Sequence, residues 1–199
     1  MRQAVVIFDL DGTLTKPILD FDAIRAEIGG IEGPILEALA SLTPGRRAEA
    51  ECIVHRHEQH AMRHAELHDG AVEVLQVCRD RGYAVAIHTR NARRNVERII
   101  QRFGIVVDTI RTREDGAVKP SPEGVLSICA ELGTIPTRSW MVGDYLFDIL
   151  SGQRAGTRTV LMVGQRPAPA FASRADHVIT ELRELLPLLE SGRAPRATV

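Results

Sequence analysis

The sequence predicts an α/β fold built on a parallel sheet with helices on both faces, because β-branched runs alternate with helix-like segments along most of the chain. The predicted strands cover residues 4–9, 84–89, about 106–110, 139–143, 158–163 and 176–179. The predicted helices that alternate with them cover residues 70–81, 91–103, 121–132, 146–155 and 182–189. This alternation is typical of a doubly wound, Rossmann-like sheet, in which ligands bind beyond the carboxyl ends of the strands.

One stretch departs from the alternation. Residues 15–68 contain no strand-like run, and helical periodicity covers residues 22–28, 34–42 and 46–67. Breaks between these helices fall at Gly29-Gly30 and at Thr43-Pro44-Gly45. The pattern predicts a small all-helical domain inserted after the first strand, with a core formed by residues 1–14 and 69–190. Residues 191–199 are predicted to be a disordered tail.

Length and charge exclude several classes of protein. A chain of 199 residues is long enough for one domain that carries a small insert. Its 25 basic and 26 acidic side chains leave a net charge of -1, so no global field attracts nucleic acid or an anionic membrane. Asp9 interrupts the first apolar run too early for a signal peptide, and three scattered cysteines give no disulfide framework. We therefore expect a cytoplasmic protein that binds neither nucleic acid nor a membrane, and we expect it to be a monomer or homodimer.

The first predicted strand ends in two carboxylates that indicate a metal-binding or catalytic role. Residues 9–13 read Asp-Leu-Asp-Gly-Thr, so Asp9 and Asp11 project to the same side of an extended backbone. Gly12 permits the tight turn that brings backbone amides near them. Paired carboxylates suit Mg2+, and one of them can attack an electrophile while its neighbour transfers protons. The alternative is an acidic turn that only caps the strand.

Two further clusters offer sites for an anion. Thr89 ends the second predicted strand just before Arg90 and Asn91, where a hydroxyl and the free amides of a helix start can bind an anion. Lys119 is one of only two lysines among the 25 basic residues, which suggests that a compact ammonium is required there. Such a group can stabilise a phosphoryl transition state. Taken singly, Asn91 could be a simple helix cap and Lys119 a solvated side chain.

The fourth predicted strand carries a second pair of carboxylates. Asp144 follows Gly143 at the end of the strand, and Asp148 lies four residues further, in the first turn of the next helix. Both can face the carboxyl edge of the sheet and add oxygen ligands beside the first pair. The alternative is that Asp144 caps the helix and Asp148 lies on the surface.

These four clusters, in this order, resemble the signatures of the haloacid dehalogenase superfamily: Asp-x-Asp-Gly-Thr, a strand that ends in Thr or Ser, a lysine, and Gly-Asp-x-x-x-Asp. The resemblance covers about residues 4–163 and is closest to the phosphoglycolate phosphatase-like branch. It implies a Mg2+-dependent phosphatase that acts on a small phosphorylated metabolite. In the true dehalogenases of the family the second acid is replaced, usually by an aromatic residue. Asp11 is present here, which favours phosphate esters because an alkoxide leaving group needs a proton.

The resemblance also implies a role for each motif residue. Asp9 would be the nucleophile that forms an aspartyl-phosphate, while Asp11 would protonate the leaving alkoxide and then activate water. Thr89 and Lys119 would bind the phosphoryl oxygens. The expected metal ligands are Asp9, Asp11 through its backbone carbonyl, Asp144 and Asp148. The other expected substrate contacts are Gly12, Thr13, Lys16, Arg90 and Asn91.

The predicted helical insert lies where family members carry a small cap that closes over the substrate. Lys16, at its entry, and the pair Arg46-Arg47 are candidates for binding a second anionic group, unless they are simply solvated. Five histidines lie in or just after its last predicted helix: His55, His57, His60, His64 and His68. The last three are spaced by four residues and could bind a transition metal or respond to pH, although a solvated helix face is the simpler interpretation.

Two other functions remain open. A phosphomutase or phosphotransferase of the same family would keep water away from the aspartyl-phosphate, a property of cap closure that no motif reveals. A non-catalytic phospho-receiver module also places an aspartate near other carboxylates and a lysine. In that fold, however, the phosphorylated aspartate follows the third strand, and no helical insert is present. A dinucleotide-binding domain is excluded because the sequence has no Gly-x-Gly-x-x-Gly motif, and a P-loop is absent as well.

Overall fold

The computed structural model describes residues 4–191 of the chain. Six parallel strands form one sheet in the order β3-β2-β1-β4-β5-β6. The strands are β1 (Val5–Phe8), β2 (Ala84–His88), β3 (Thr109–Arg111), β4 (Trp140–Gly143), β5 (Arg158–Met162) and β6 (His177–Ile179). The predicted parallel sheet with flanking helices is therefore confirmed.

The helices follow the predicted alternation. They are α1 (Phe21–Ile28), α2 (Ile35–Ala40), α3 (Pro44–His64), α4 (Ala71–Asp80), α5 (Arg93–Phe103), α6 (Glu123–Leu132), α7 (Leu146–Ala155) and α8 (Leu185–Ser191). The predicted tail, residues 191–199, lies outside the described residues except for Ser191, which ends α8. The closing helix is preceded by a separate 3-10 turn at Leu182–Glu184 rather than being one continuous helix from residue 182.

Strand β3 lies further along the chain than the predicted strand at about 106–110. Its β-branched neighbour Val106 is 56% exposed and belongs to the connection from α5. Asp108 ends that connection: its backbone N–H donates to the Val85 carbonyl at 2.7 Å, and its carboxylate accepts from the Val85 N–H at 2.8 Å. The β-branched run misled the prediction because the start of β3 is set by the hydrogen bond that the Asp108 carboxylate accepts from the backbone of β2, and not by strand propensity.

The centre of the sheet is buried on both faces. Every residue of β1 and β2 is buried, which is typical of parallel strands covered by helices on each side. On one face Val5 and Ile7 pack in a cluster with Val125 and Ile128 of α6. Because successive side chains of a strand alternate, the buried side chains of Val6 and Phe8 project to the opposite face.

Register brings the carboxyl ends of three strands to one edge. Phe8 of β1 lies opposite Ile87 of β2 on one side and Val142 of β4 on the other. The residues that follow these positions therefore meet beyond the sheet, where ligands bind in folds of this kind. No helix in the part of the chain that the structure describes is long and apolar enough to cross a membrane.

Residues 17–65 form a second compact unit that contains only helices. Its own core is built by apolar side chains of α1, α2 and α3, which are Ile24, Ile28, Ile35, Leu39, Ala50 and Val54. Arg46 caps the end of α1 by donating to the carbonyls of Ile28 at 3.2 Å and Gly29 at 3.1 Å. Helix α3 begins at Pro44 and not at residue 46, because proline is favoured in the first turn of a helix, where its missing N–H costs nothing.

The connections to this unit run side by side within the sheet-containing unit. The Lys16 N–H donates to the Glu66 carbonyl at 2.8 Å, and the His68 N–H donates to the Leu14 carbonyl at 2.9 Å. Leu67, which periodicity places in the last helix, instead pairs with Thr15 in an antiparallel bridge. The helix ends at His64 because the chain turns into this pairing.

Candidate active site

Asp9 follows β1 and lies at the centre of the carboxyl edge of the sheet. Its backbone N–H donates to the Val142 carbonyl of β4 at 2.8 Å, which extends the β1–β4 pairing by one residue. Its side chain is almost fully buried. The apolar strand thus delivers a carboxylate to the edge of the sheet with a fixed backbone position.

Lys119 bridges two of the predicted carboxylates. Its Nζ lies 2.5 Å from Oδ1 of Asp9 and 2.5 Å from Oδ1 of Asp148, and the residue is 2% exposed. Burial alone would lower the pKa of Lys119, but the charges and hydrogen bonds of Asp148 and Asp9 outweigh it and raise that pKa. The side chain is therefore a permanent cation held against the proposed nucleophile.

Three carboxylates gather around this lysine. Oxygens of Asp9, Asp144 and Asp148 lie within 4.8 Å of one another, and within residues 4–191 they are the one group of three or more side chains placed to share a metal ion. Burial is the largest cause that raises the pKa of Asp9, with repulsion from Asp148 and Asp144 adding to it and Lys119 opposing it. Burial and Asp148 likewise raise the pKa of Asp144 to about 6.

This donor set fits Mg2+. The ion prefers hard oxygen ligands and is held in proteins by a small number of carboxylates. Repulsion from neighbouring carboxylates adds to burial in raising the pKa of Asp9 and of Asp144, and a divalent cation would relieve that repulsion. The Asp11 side chain is not in this group of three, in keeping with its expected contribution through the backbone carbonyl.

Two glycines allow the carboxylates to approach the backbone. A Cβ added to Gly12 would overlap the Asp144 carboxylate, and a Cβ added to Gly143 would overlap Asp148. Gly12 also has φ 86°, which a residue with a side chain rarely adopts. The substrate contact predicted for Gly12 stays a prediction, and the structure shows that its missing side chain makes room for Asp144.

Thr13 and Thr89, the two predicted hydroxyl groups of the site, are both buried. Thr13 is fully buried, and its hydroxyl has no hydrogen-bond partner among the described residues. Thr89 is buried beyond the end of β2, where its backbone N–H donates to Arg111 at 2.9 Å and its hydroxyl accepts from the Asn91 N–H at 3.1 Å. Both roles predicted for these hydroxyls, in binding a phosphoryl group, stay predictions.

The two residues after Thr89 have specific partners. The Arg90 guanidinium donates to the Lys119 carbonyl and lies over the ring of Phe147, 5.0 Å from its centroid. The Asn91 carboxamide donates to Oδ2 of Asp11 at 2.8 Å. Arg90 thus joins the backbone of the lysine loop to the β4–α7 turn, while Asn91 joins the second motif to the first.

The cations predicted to hold a second anionic group lie in other pairs. Lys16 forms an ion pair with Glu66 at 3.0 Å on the exposed surface. Arg46 caps α1, as described above, and Arg47 pairs with Glu51 one helical turn away at 3.0 Å. Each of these cations thus has an acidic or carbonyl partner in its own unit, and its role in binding a second anionic group stays a prediction.

The histidines of the helical insert do not form a metal site in the described residues. His57 contacts Glu27 at 2.8 Å, and the rings of His60 and His64 lie with their centroids 4.2 Å apart. His64 Nδ1 contacts the His60 carbonyl at 2.8 Å, which is a local contact within the helix. A surface role is in keeping with these contacts.

Sequence patterns missed two polar residues that contact the site. Arg166, in the loop after β5, lies 3.1 Å from Oδ2 of Asp144. Asn95, in α5, is fully buried and donates to the Asn91 carboxamide at 2.9 Å. A signal exists for each: Arg166 follows a strand at the carboxyl edge, and Asn95 lies four residues after Asn91, one helical turn away.

Comparison with known proteins agrees with this geometry. Residues 4–156 match the family model described as haloacid dehalogenase-like hydrolase. This chain is a haloacid dehalogenase-like hydrolase. The match spans the sheet from β1 to the end of α7, and therefore includes every strand that contributes a carboxylate to the cluster.

Relatives of this haloacid dehalogenase-like hydrolase cover nearly its whole length. The pyrophosphatase PpaX of Bacillus mycoides is 31% identical over 95% of this chain and 98% of its own. The N-acetylmuramic acid 6-phosphate phosphatase of Pseudomonas aeruginosa is 30% identical over 96% of each chain. A crystal structure described as a predicted phosphoglycolate phosphatase of Haemophilus somnus superposes with a TM-score of 0.74 at 20% identity, over 94% of this chain and 98% of that one. At this level of sequence identity, the structural similarity shows a shared fold only.

Proposed function

We propose that the protein is a Mg2+-dependent phosphatase that hydrolyses a small phosphorylated metabolite through an aspartyl-phosphate on Asp9. One observation carries the proposal: the buried Asp9 carboxylate contacts a buried ammonium and lies within 4.8 Å of two further carboxylates. A structural role alone does not account for three mutually repelling carboxylates around one lysine, because removing them from water is costly. Supporting evidence comes from the names of two relatives, a pyrophosphatase and a sugar-acid phosphatase.

The first step would transfer the phosphoryl group to Asp9. A carboxylate oxygen of Asp9 attacks phosphorus while the bond to the ester oxygen breaks, and Asp11 gives its proton to that departing oxygen. Lys119 offsets the charge that crowds the site as a carboxylate meets a phosphate dianion. Mg2+, held by Asp9, the Asp11 carbonyl and Asp144, with Asp148 beside them, would supply further positive charge.

The second step would release inorganic phosphate. Asp11, now ionised, removes a proton from water as the water oxygen attacks phosphorus and the bond to Asp9 breaks. Asp9 returns to its carboxylate form and Asp11 to its acid form. Asp11 thus acts first as a proton donor and then as a proton acceptor while Asp9 carries the phosphoryl group, which is why this reaction needs both residues of the first motif.

The helical unit, residues 17–65, is proposed to select the substrate. Support comes from its place in the sequence, between the first and second motifs, where members of this family carry a cap. Its own helices and core are complete without the sheet-containing unit, as expected of a separately packed module. A small phosphorylated hydroxy acid or sugar is the substrate class that the phosphoglycolate phosphatase-like branch suggests.

The test is phosphate release from a panel of small phosphate esters, with Mg2+ or with EDTA. We expect wild type to release phosphate only with Mg2+, and Asp9→Asn to lose at least about a thousandfold in rate. Asp80→Asn is the matched control, because it makes the same chemical change on an exposed surface of the same unit and should leave the rate unchanged. Lys119→Arg should be severely impaired, since a branched guanidinium does not fit between Asp9 and Asp148.

Other results would contradict the proposal. Activity of Asp9→Asn within tenfold of wild type would refute the nucleophile assignment, and full activity in EDTA would refute the metal requirement. Transfer of the phosphoryl group to a second phosphorylated substrate, in place of release, would identify a phosphomutase. An Asp9 that accepts a phosphoryl group without turning over any ester would identify a regulatory module.

A further inference from the structure

The Asn91 side chain lies between α5 and the second carboxylate of the first motif. It is buried, and its Nδ2 donates to Oδ2 of Asp11 at 2.8 Å. The backbone N–H of Asn91 donates to the Thr89 hydroxyl at 3.1 Å, which fixes the main chain at this point. The amide therefore holds one particular oxygen of Asp11 from a rigid part of the sheet edge.

The orientation of the Asn91 carboxamide follows from its other contacts. Its Oδ1 accepts from the backbone N–H of Ala92 at 2.7 Å. Because a backbone N–H can only donate, the atom that faces it must be the oxygen, and the nitrogen must face Asp11. Nδ2 of Asn95 donates to the same oxygen at 2.9 Å, so two donors hold the amide in one orientation.

Asn95 has no exposed surface and lies in the first turn of α5. A buried carboxamide costs stability unless its polar atoms find partners, so a helix that packs on a sheet would ordinarily place an apolar side chain there. Here the buried position carries an amide that donates to Asn91. The contacts form a continuous chain from α5 through Asn91 to the Asp11 carboxylate.

We infer that Asn91, held in place by Asn95, is a positioning residue that orients the Asp11 carboxyl group for proton transfer. The inference rests on the proposed phosphatase function. Because Oδ2 of Asp11 accepts a hydrogen bond from an amide, the proton of the acid form resides on Oδ1. That proton passes from Oδ1 to the ester oxygen as the Asp9–phosphorus bond forms and the ester bond breaks. Oδ1 later takes a proton from the attacking water.

The test compares two esters that differ in how much they need the proton. A nitrophenyl phosphate leaves as a stable phenolate and gains little from a general acid, whereas an alkyl phosphate leaves as an alkoxide and depends on it. The quantity to measure is kcat/KM, since it reports the step that breaks the ester bond. The variants are Asn91→Ala and Asn95→Ala, and their Tm shows that each is folded.

We expect Asn91→Ala to lower kcat/KM for the alkyl ester by about tenfold to a hundredfold, which is part of the full effect of a general acid. The loss for the nitrophenyl ester should stay below about threefold on the same principle. Asn95→Ala should shift the ratio in the same direction by a smaller factor. Ser139→Ala is the matched control: it removes an equally buried hydrogen-bonding group at the opposite edge of the sheet and should leave the ratio of the two esters unchanged.

Equal losses on both esters would overturn the inference, because they would show that Asn91 binds the phosphoryl group that both substrates share. An unchanged kcat/KM for both esters in Asn91→Ala would also overturn it. These outcomes differ from failure of the proposed function. If wild type hydrolyses neither ester with Mg2+ present, the phosphatase proposal falls and the inference falls with it.

Discussion

Asp144 shows how a single residue of the site lowers the stability of the metal-free protein. Burial and the nearby Asp148 raise its pKa to about 6, above the ordinary value of 3.8, although Arg166 opposes them. Between those two pH values the folded state binds the proton that the unfolded state has released. The contribution of Asp144 to stability is therefore highest below about pH 3.8, falls as pH rises from there to about 6, and is constant above that.

We predict that Asp144→Asn removes this loss. In EDTA, the free energy of unfolding of the variant should exceed that of wild type by an amount that grows from near zero below about pH 3 to about 3 kcal/mol above pH 7. Chemical denaturation at several pH values measures the difference. In Mg2+ the order should reverse, because wild type gains binding energy that the variant loses. A constant difference between pH 4 and pH 7 would contradict the prediction.

Gly12 offers a second test at the level of one residue. An alanine there would meet both a positive φ of 86° and the Asp144 carboxylate. Gly82 is a matched control, since its φ is 83° but no atom lies within 4 Å of an added Cβ. Gly82→Ala should cost about 1–2 kcal/mol from backbone conformation alone.

Gly12→Ala should cost more stability than Gly82→Ala and should lower kcat/KM by at least about tenfold, because the displaced carboxylate no longer sits beside Asp9. Denaturation curves and phosphate release measure the two effects. Equal behaviour of the two variants would show that the turn tolerates a side chain and that Asp144 can move at little cost.

The motif residues were the most predictable part of the site. Asp9, Thr89, Asp144 and Asp148 all follow or flank strands whose apolar runs are clear in the sequence, and parallel pairing brings strand ends together. Asn95 and Arg166 were not predicted, because their importance arises from what they contact across the fold. A polar residue in an amphipathic helix ordinarily indicates a solvated face, and only packing shows that Asn95 is buried.

At the level of the element, the predicted strand and helix boundaries were wrong where specific side chains, and not backbone propensity, determine them. Helix α7 matches its predicted span because its periodicity and its C-terminal Gly156 agree. Strand β3 was misplaced because the Asp108 carboxylate competes for the backbone of β2. Helix α3 was predicted to start two residues late because Pro44 can begin a helix as well as interrupt one.

The cysteines distinguish the faces of three helices. Cys52 in α3 is exposed, whereas Cys78 in α4 and Cys129 in α6 are buried against neighbouring elements. Burial raises the pKa of the Cys78 thiol to about 12, and it also raises the pKa of Cys129. Neither buried thiol therefore forms the reactive thiolate near neutral pH.

We predict that a thiol reagent at pH 8 labels one cysteine rapidly in the native protein and all three in denaturant. Mass spectrometry of the labelled protein would locate the first label on Cys52, and Cys52→Ser should abolish the rapid phase. Rapid labelling of Cys78 in the native protein would show that α4 opens from the sheet far more often than its packing implies.

At the level of the whole molecule, the chain divides into a sheet-containing unit and the helical unit at residues 17–65. The predicted insert, residues 15–68, extends a few residues beyond the helical unit at each end. Thr15 and Leu67, inside that predicted insert, pair with each other in the sheet-containing unit. The difference arises because a short backbone pairing carries no hydrophobic periodicity for a sequence pattern to detect.

We predict that the sheet-containing unit folds when residues 17–65 are replaced by a short Gly-Ser linker. The ends to be joined already meet, with the Lys16 N–H 2.8 Å from the Glu66 carbonyl, so a short loop closes without strain. The shortened protein should unfold cooperatively, should be stabilised by Mg2+ and should hydrolyse nitrophenyl phosphate with less discrimination among esters. A chain that fails to fold would show that the two units depend on each other for stability.

The paired ends of the insertion also bear on how such a protein can diversify. The backbone leaves the sheet-containing unit and re-enters it at neighbouring positions, held by the hydrogen bonds at Lys16 and His68. Insertions, deletions or exchange of the intervening stretch therefore leave the path of the chain through Asp9 and Asp11 unchanged. The reactive carboxylates and the helical unit can then change under separate selective pressures. One scaffold can in this way acquire new substrates without rebuilding its carboxylates.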